Sequence, residues 1–185
     1  MLDSIKIDKK TKKMFYNFLE DSKKFFNLNS EQKKNYKYTG LTRLDGTAGL
    51  GYVDNDIENG AYKESFAFNL RNEEVPFNDE YKGIIKIIQK IGFEYIKKIN
   101  HDFLKMHDEQ PLVRIHKYYK LKEDDYFYTN DDITEDHVLD KLRFFPHRDY
   151  GTITLIYQFN DVKGLQIKTR NSKKWTDLSF DSNEI

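Results

Sequence analysis

His147 and Asp149 stand two residues apart in the stretch FFPHRDYGTITLIYQ, residues 144–158. Side chains at i and i+2 of an extended strand point to the same side. An imidazole nitrogen and a carboxylate oxygen would therefore converge, with Arg148 pointing away. Together they supply two of the three protein ligands in the two-histidine, one-carboxylate arrangement that suits Fe(II). Three ligands on one face of an octahedron leave three positions open for substrate, cosubstrate and O2, whereas a closed tetrahedral zinc site leaves none. Taken alone, the triplet reads first as a surface histidine beside an aspartate, because short motifs recur by chance. The surrounding sequence has to decide.

Composition removes several other chemistries. The chain of 185 residues has no cysteine, which excludes a disulfide framework, a thiolate metal site and a cysteine nucleophile. The 31 lysines and arginines balance the 31 aspartates and glutamates, so there is no global attraction to nucleic acid or to an anionic membrane. Only six of those cations are arginines, which leaves few candidates for a bidentate carboxylate clamp. Aromatic residues make up 15% of the chain, enough to supply a core and argue against disorder. No apolar run has the length of a membrane span or of a signal-peptide core, so a soluble, cytoplasmic protein is expected.

The elements that must hold the pair are legible as periodicities. Over residues 11–27, Met14, Phe15, Phe18, Leu19, Ser22, Phe25 and Phe26 recur at spacings of three and four, an amphipathic helix. Asn29 or Ser30 would cap a short helix that follows. Residues 40–62 carry glycines and read as irregular, and residues 62–70, YKESFAFNL, alternate as a strand. A long helix is expected over residues 78–106, with Tyr81, Ile84, Ile85, Ile88 and Ile91 on its apolar face and Gly92 loosening it. LVRIHKYY, residues 112–119, reads as a strand, and so do residues 150–158, 164–168 and 174–179. The acids of residues 123–136 are scattered, match no calcium loop, and read as the heart of a solvated insert over residues 120–140. The expected class is α+β or mainly β, with a long and a shorter helix packed outside the strands.

Several pieces in order carry a resemblance. HRDYGTITLIYQ is followed by GLQI at residues 164–167 and then by Trp175. This resembles the isopenicillin N synthase-like branch of the Fe(II)/2-oxoglutarate-dependent dioxygenases. That family carries a His-x-Asp, an apolar strand ending in Gln, a Gly-Leu-Gln-Val strand and a Trp in this order. Upstream, FNLNSEQKKNY is similar to a helix junction of the family, and YKESFAFN to its Lys-Glu-x-Phe segment. LVRIHKYY is similar to a strand that ends in Tyr-Pro, with Tyr118 in the tyrosine position and Tyr119 where the proline would be.

The resemblance covers most of residues 12–185. It implies a partial double-stranded β-helix, or jelly-roll, with helices outside. It implies Fe(II) held by His147 and Asp149, and oxidation of a small organic substrate by O2, with 2-oxoglutarate or, as in isopenicillin N synthase itself, without it. It assigns Tyr118 and Thr154 to cosubstrate or substrate binding. The family's third ligand, a histidine, and its Arg-x-Ser anchor for 2-oxoglutarate would fall past Ile185. The expectation is one domain, residues 1–185, incomplete at both ends.

His116, on the same strand face as Tyr118, reads first as a packed strand residue and second as a substitute third ligand. Arg148 is on the wrong side to anchor 2-oxoglutarate, and Arg114 is four residues from Tyr118. Two readings compete: an Fe(II)-dependent oxidoreductase, alone or with a second chain supplying the missing strands, and an inactive domain that persists as a binding or structural module. A plain α+β domain with a chance motif is the third.

Overall fold

The computed structural model describes residues 4–36, 50–55, 63–70, 75–99, 102, 111–119, 147–149, 153–160, 162–172 and 174–178. The insert expected over residues 120–140, and residues 150–152 of the expected third strand, lie outside these.

Helix α1 spans Lys9–Phe26. It begins where the Asp8 carboxylate accepts the Thr11 amide at 2.7 Å, a bond that holds the exposed Asp8 carboxyl below its usual range. Its buried stripe is Phe15, Phe18, Ser22, Phe25 and Phe26. Ser22 is tolerated there because its hydroxyl donates to the Phe18 carbonyl at 2.7 Å. Asn29 caps α2, Ser30–Lys34, in a full capping box: its side chain accepts the Gln32 amide, and the Gln32 side chain accepts the Asn29 amide. Helix α3, Glu80–Ile99, buries Tyr81, Ile84, Ile85 and Ile96. It packs on α1 so closely that a Cβ on Gly83 would lie 2.5 Å from Met14 Cε.

Strands β1 (Gly51–Asn55), β2 (Lys63–Phe68) and β3 (Val113–Tyr118) form an antiparallel sheet in the order β1-β2-β3. β2 is central, so alternation sends its even residues to one side and its odd residues to the other. Phe66 and Phe68 meet the helices, joined by Tyr52 from β1 and by Ile115 and Val113 from β3. Phe25 stands in the middle of this core. Its ring centre is 5.0 Å from Phe66, 5.7 Å from both Tyr52 and Tyr36, and 5.9 Å from Phe77. All four pairs are edge-to-face, a geometry the ring quadrupoles favour.

One charged knot interrupts the apolar layer. Glu64 is buried and receives Lys33 Nζ, the Tyr52 hydroxyl at 2.8 Å and Lys117 Nζ at 3.4 Å. Burial would raise its carboxyl, but hydrogen bonds from Lys33, Tyr119 and Tyr52 outweigh that and hold it below the ordinary range. Lys33 and Lys117 each also donate to the Phe26 carbonyl at 3.3 Å, which satisfies the end of α1. The knot therefore fastens both short-range helices to the sheet.

The molecule is mixed in class, with a few antiparallel strands and a long helix, as the periodicities indicated. Two expectations about elements need correction. Residues 51–55, read as irregular, are a strand, because β2 offers them a partner edge. Residues 153–158, the described part of the strand expected over residues 150–158, pair with no strand among the described residues. Leu155, Tyr157 and Phe159 instead lie against the core, with Tyr157 4.5 Å from Phe15 between ring centres. The remaining strands, β4 (Gln166–Ile167) and β5 (Thr176–Asp177), are two-residue pieces of an antiparallel ribbon.

Candidate functional site

Because Phe66 and Phe68 are committed to the helices, Lys63, Ser65 and Ala67 face the opposite side of β2. The antiparallel register pairs Lys63 with Tyr118, Ser65 with His116 and Ala67 with Arg114. Cross-strand partners share a face, so His116, Tyr118 and Arg114 join Lys63 and Ser65 there. Lys63, Ser65 and Ala67 on β2 are buried, while Arg114 and Tyr118 on β3 are exposed, so the face runs from covered on the central strand to open on its neighbour.

His116 and Tyr118 are 5.9 Å apart between ring centres. Burial, followed by the charges of Lys63, Arg114 and His147, pushes the His116 imidazole down to about 3, with Asp149 opposing. His116 is therefore neutral at physiological pH, the state in which a ring nitrogen can accept a metal. The charges of His147 and Asp149 both act on the His116 imidazole.

His147 Nε2 lies 3.1 Å from Asp149 Oδ1, with both side chains roughly half exposed. The Thr154 hydroxyl donates to Asp149 Oδ2 at 2.5 Å and so fixes the second carboxylate oxygen. The convergence expected of a strand is thus present, but residues 147–149 are not in a strand. Pro146, which has no amide to give a ladder, directly precedes them. Thr154, expected at a bound cosubstrate, is engaged with Asp149. Among the described residues, no group of three histidines, aspartates or glutamates is close enough to hold a metal ion. His147 and Asp149 make a two-ligand set, and His116 is a neighbour of it.

The downstream pieces of the motif have structural work. Gln158 Nε2 donates to the Asn160 carbonyl at 2.6 Å and the Val162 carbonyl at 2.7 Å, pinning the turn out of the extended segment. Gly164 has φ +141°, a backbone conformation only glycine takes without strain. The ribbon that follows is closed by Leu178 N to Leu165 O at 2.9 Å and by Gln166 Nε2 to Asp177 Oδ1 at 2.8 Å. Lys168 Nζ lies 5.9 Å from the Trp175 ring centre.

Sequence reading overlooked Lys63. Its place beside Tyr118 depends on the pairing of strands fifty-five positions apart, which no local pattern announces. Burial, and then the like charge of Arg114, push its amine down to about 7. The alternation of YKESFAF was the available signal: it separates Lys63 from Phe66 and Phe68, and so from the core.

No protein-family model, no curated protein and no solved structure matches this chain. Among the described residues, no helix is long and apolar enough to cross a membrane.

Proposed function

We propose that this chain is a non-haem Fe(II)-dependent oxidoreductase domain of the isopenicillin N synthase-like kind, built on part of a jelly-roll and oxidising a small organic substrate with O2. The observation that carries the proposal is the meeting of His147 Nε2 and Asp149 Oδ1 at 3.1 Å, with Asp149 Oδ2 held by Thr154. A carboxylate steered by a hydroxyl at its second oxygen is the outer-sphere support that metal ligands receive. The donor set, one imidazole and one carboxylate, is hard enough for Fe(II) and leaves coordination positions open. Bound iron would supply the activation of O2.

The chain's own residues would bind and orient. His147 and Asp149 would hold the metal, Thr154 would fix the carboxylate, and Tyr118, exposed on β3, would meet the cosubstrate or substrate. The third ligand comes from outside the pair; His116, kept neutral on the adjoining strand, is the source to test first, and a second chain is the other.

Co(II), a spectroscopic stand-in for Fe(II), tests the reading. Two ligands predict binding in the micromolar range or weaker, since losing even an outer-sphere partner costs about 10–100-fold in affinity. His147→Ala and Asp149→Ala should each abolish the Co(II) absorption bands. Bands that persist unchanged in both variants would place the metal elsewhere and end the proposal. Loss in His116→Ala as well identifies the third ligand.

A further inference from the structure

The chain is neutral overall, but its charge is not evenly spread. Residues 163–176, KGLQIKTRNSKKWT, carry five cations and no acid. Of the chain's 31 cations these five leave 26 against 31 acids in the rest. The stretch makes up most of the β4–β5 ribbon and its turn. Lys163, Lys168, Arg170 and Lys174 are exposed and, among the described residues, make no ion pair. The helices treat surface lysines differently: Lys23, Lys24, Lys82 and Lys97 each meet an acid three residues earlier.

The ribbon also carries the chain's one tryptophan. Gln166 pairs with Asp177 and Ile167 with Thr176, so Lys168 and Trp175 come next, opposite one another on the face of Gln166 and Asp177. Lys168 Nζ lies 5.9 Å from the centre of the Trp175 ring, which is half-buried. Asp177, the acid on that face, accepts Gln166 Nε2 at 2.8 Å at the end away from the turn. The turn is held by its own bonds. Ser172 N donates to the Thr169 carbonyl at 3.1 Å, and the Ser172 hydroxyl donates to the Lys174 carbonyl at 2.8 Å. Arg170 and Lys174 therefore stand at the exposed end of a fixed ribbon. Cations gathered in this way repel one another, and a bound polyanion relieves that repulsion.

We propose that the β4–β5 ribbon binds single-stranded nucleic acid, with Lys168, Arg170 and Lys174 taking phosphates and Trp175 stacking on a base. Cations that track a backbone beside an aromatic ring on which bases stack are the two parts such binding needs. Three other anionic partners fit less well. An acidic peptide offers carboxylates without a flat ring beside each. A duplex keeps its bases stacked on one another, so the Trp175 ring finds no free face. Binding to an anionic membrane grows with the apolar area it buries, and the turn here is Thr169, Arg170, Asn171 and Ser172, all polar. Because the rest of the chain is net acidic, the attraction is local to the ribbon and strongly dependent on salt. The surface is independent of the His147–Asp149 pair and of the oxidoreductase reading.

The test is titration of the full chain with an oligothymidylate of about ten nucleotides, read by Trp175 fluorescence and by the anisotropy of an end-labelled strand. At about 50 mM salt the Kd should be about 100 μM or tighter, with Trp175 emission quenched, and affinity should fall roughly tenfold or more at about 200 mM. Arg170→Glu with Lys174→Glu, both at exposed positions, should weaken binding by at least about tenfold. Trp175→Ala should weaken it by at least about fivefold, and Trp175→Phe should restore most of the loss, because a phenyl ring still stacks. Asp149→Ala should leave oligonucleotide binding unchanged while removing Co(II). No binding at about 50 mM salt, or equal binding by wild type and a folded Arg170→Glu/Lys174→Glu chain, overturns the proposal. So does binding that leaves Trp175 emission unchanged. Equal or tighter binding of the matching duplex, of polyglutamate or of vesicles rich in phosphatidylglycerol would give the ribbon to that partner instead, and would equally overturn it.

Discussion

Lys63 and Glu64 are adjacent in the chain and lie on opposite sides of β2. Both are buried and ionisable, yet their surroundings differ completely. Glu64 is met by Lys33, Lys117 and Tyr52, and its carboxyl is held low, so its charge is favoured in the folded state. Lys63 is met by burial and by Arg114, and its amine is pushed down to about 7, so its charge is disfavoured. One side of the strand uses an ion to join helices to sheet. The other carries Lys63, whose amine burial and Arg114 push down.

The strongest way to break this comparison is on the helix side. Glu64→Gln would leave Lys33 buried without its charge partner and should cost about 3–5 kcal/mol, measured by chemical denaturation. The double variant Lys33→Met with Glu64→Leu should recover most of that loss, because an apolar pair avoids the desolvation of both ions. The sign of the pH effect follows from the depressed carboxyl. Its contribution is complete above the unfolded value of 4.5 and is lost as pH falls through the lower folded value. Wild type should therefore lose stability in acid more steeply than the double variant.

Lys63→Met should act in the opposite sense. A lysine whose folded value is about 7 against an ordinary 10.5 makes the unfolded state bind more protons between those limits. Stability of the wild type relative to Lys63→Met should therefore rise across that window. At pH 6 the variant should be the more stable by on the order of 2 kcal/mol, discounting the shift for partial solvation. A variant less stable than wild type at pH 6 would show that Lys63 is structural, like Glu64, and would erase the contrast.

Thr154→Val sharpens the site side alone. It should lower Co(II) affinity by about 10–100-fold while leaving the unfolding midpoint nearly unchanged, because the hydroxyl serves only the Asp149 carboxylate among its described contacts. The smallest effect is expected away from both faces. A Cβ on Gly92 meets nothing within 4 Å, so Gly92→Ala should stabilise α3 by up to about 1 kcal/mol through helix propensity.

What the sequence by itself determined is local. The 3.6-residue stripe of Phe15, Phe18, Ser22, Phe25 and Phe26 specifies α1 and its buried face, and Tyr81, Ile84 and Ile85 do the same for α3. Asn29 with Gln32 announces the start of α2. The alternation of KESFAF and VRIHKY gives β2 and β3, and the His-x-Asp spacing gives a convergent pair. Only tertiary structure decided β1, since GYVDN has little alternation and becomes a strand because an edge of β2 is available. Tertiary structure also drew Tyr157 and Phe159 onto Phe15, and paired Lys33 with Glu64 across 31 positions. It alone set the register that lays Lys63 beside Tyr118 and Ser65 beside His116. The physical reason is the same in each case. Periodicity records which side of its own backbone a residue occupies, and a strand slipped by two positions keeps that side while exchanging every neighbour. The groups that share a site are fixed only when the register is.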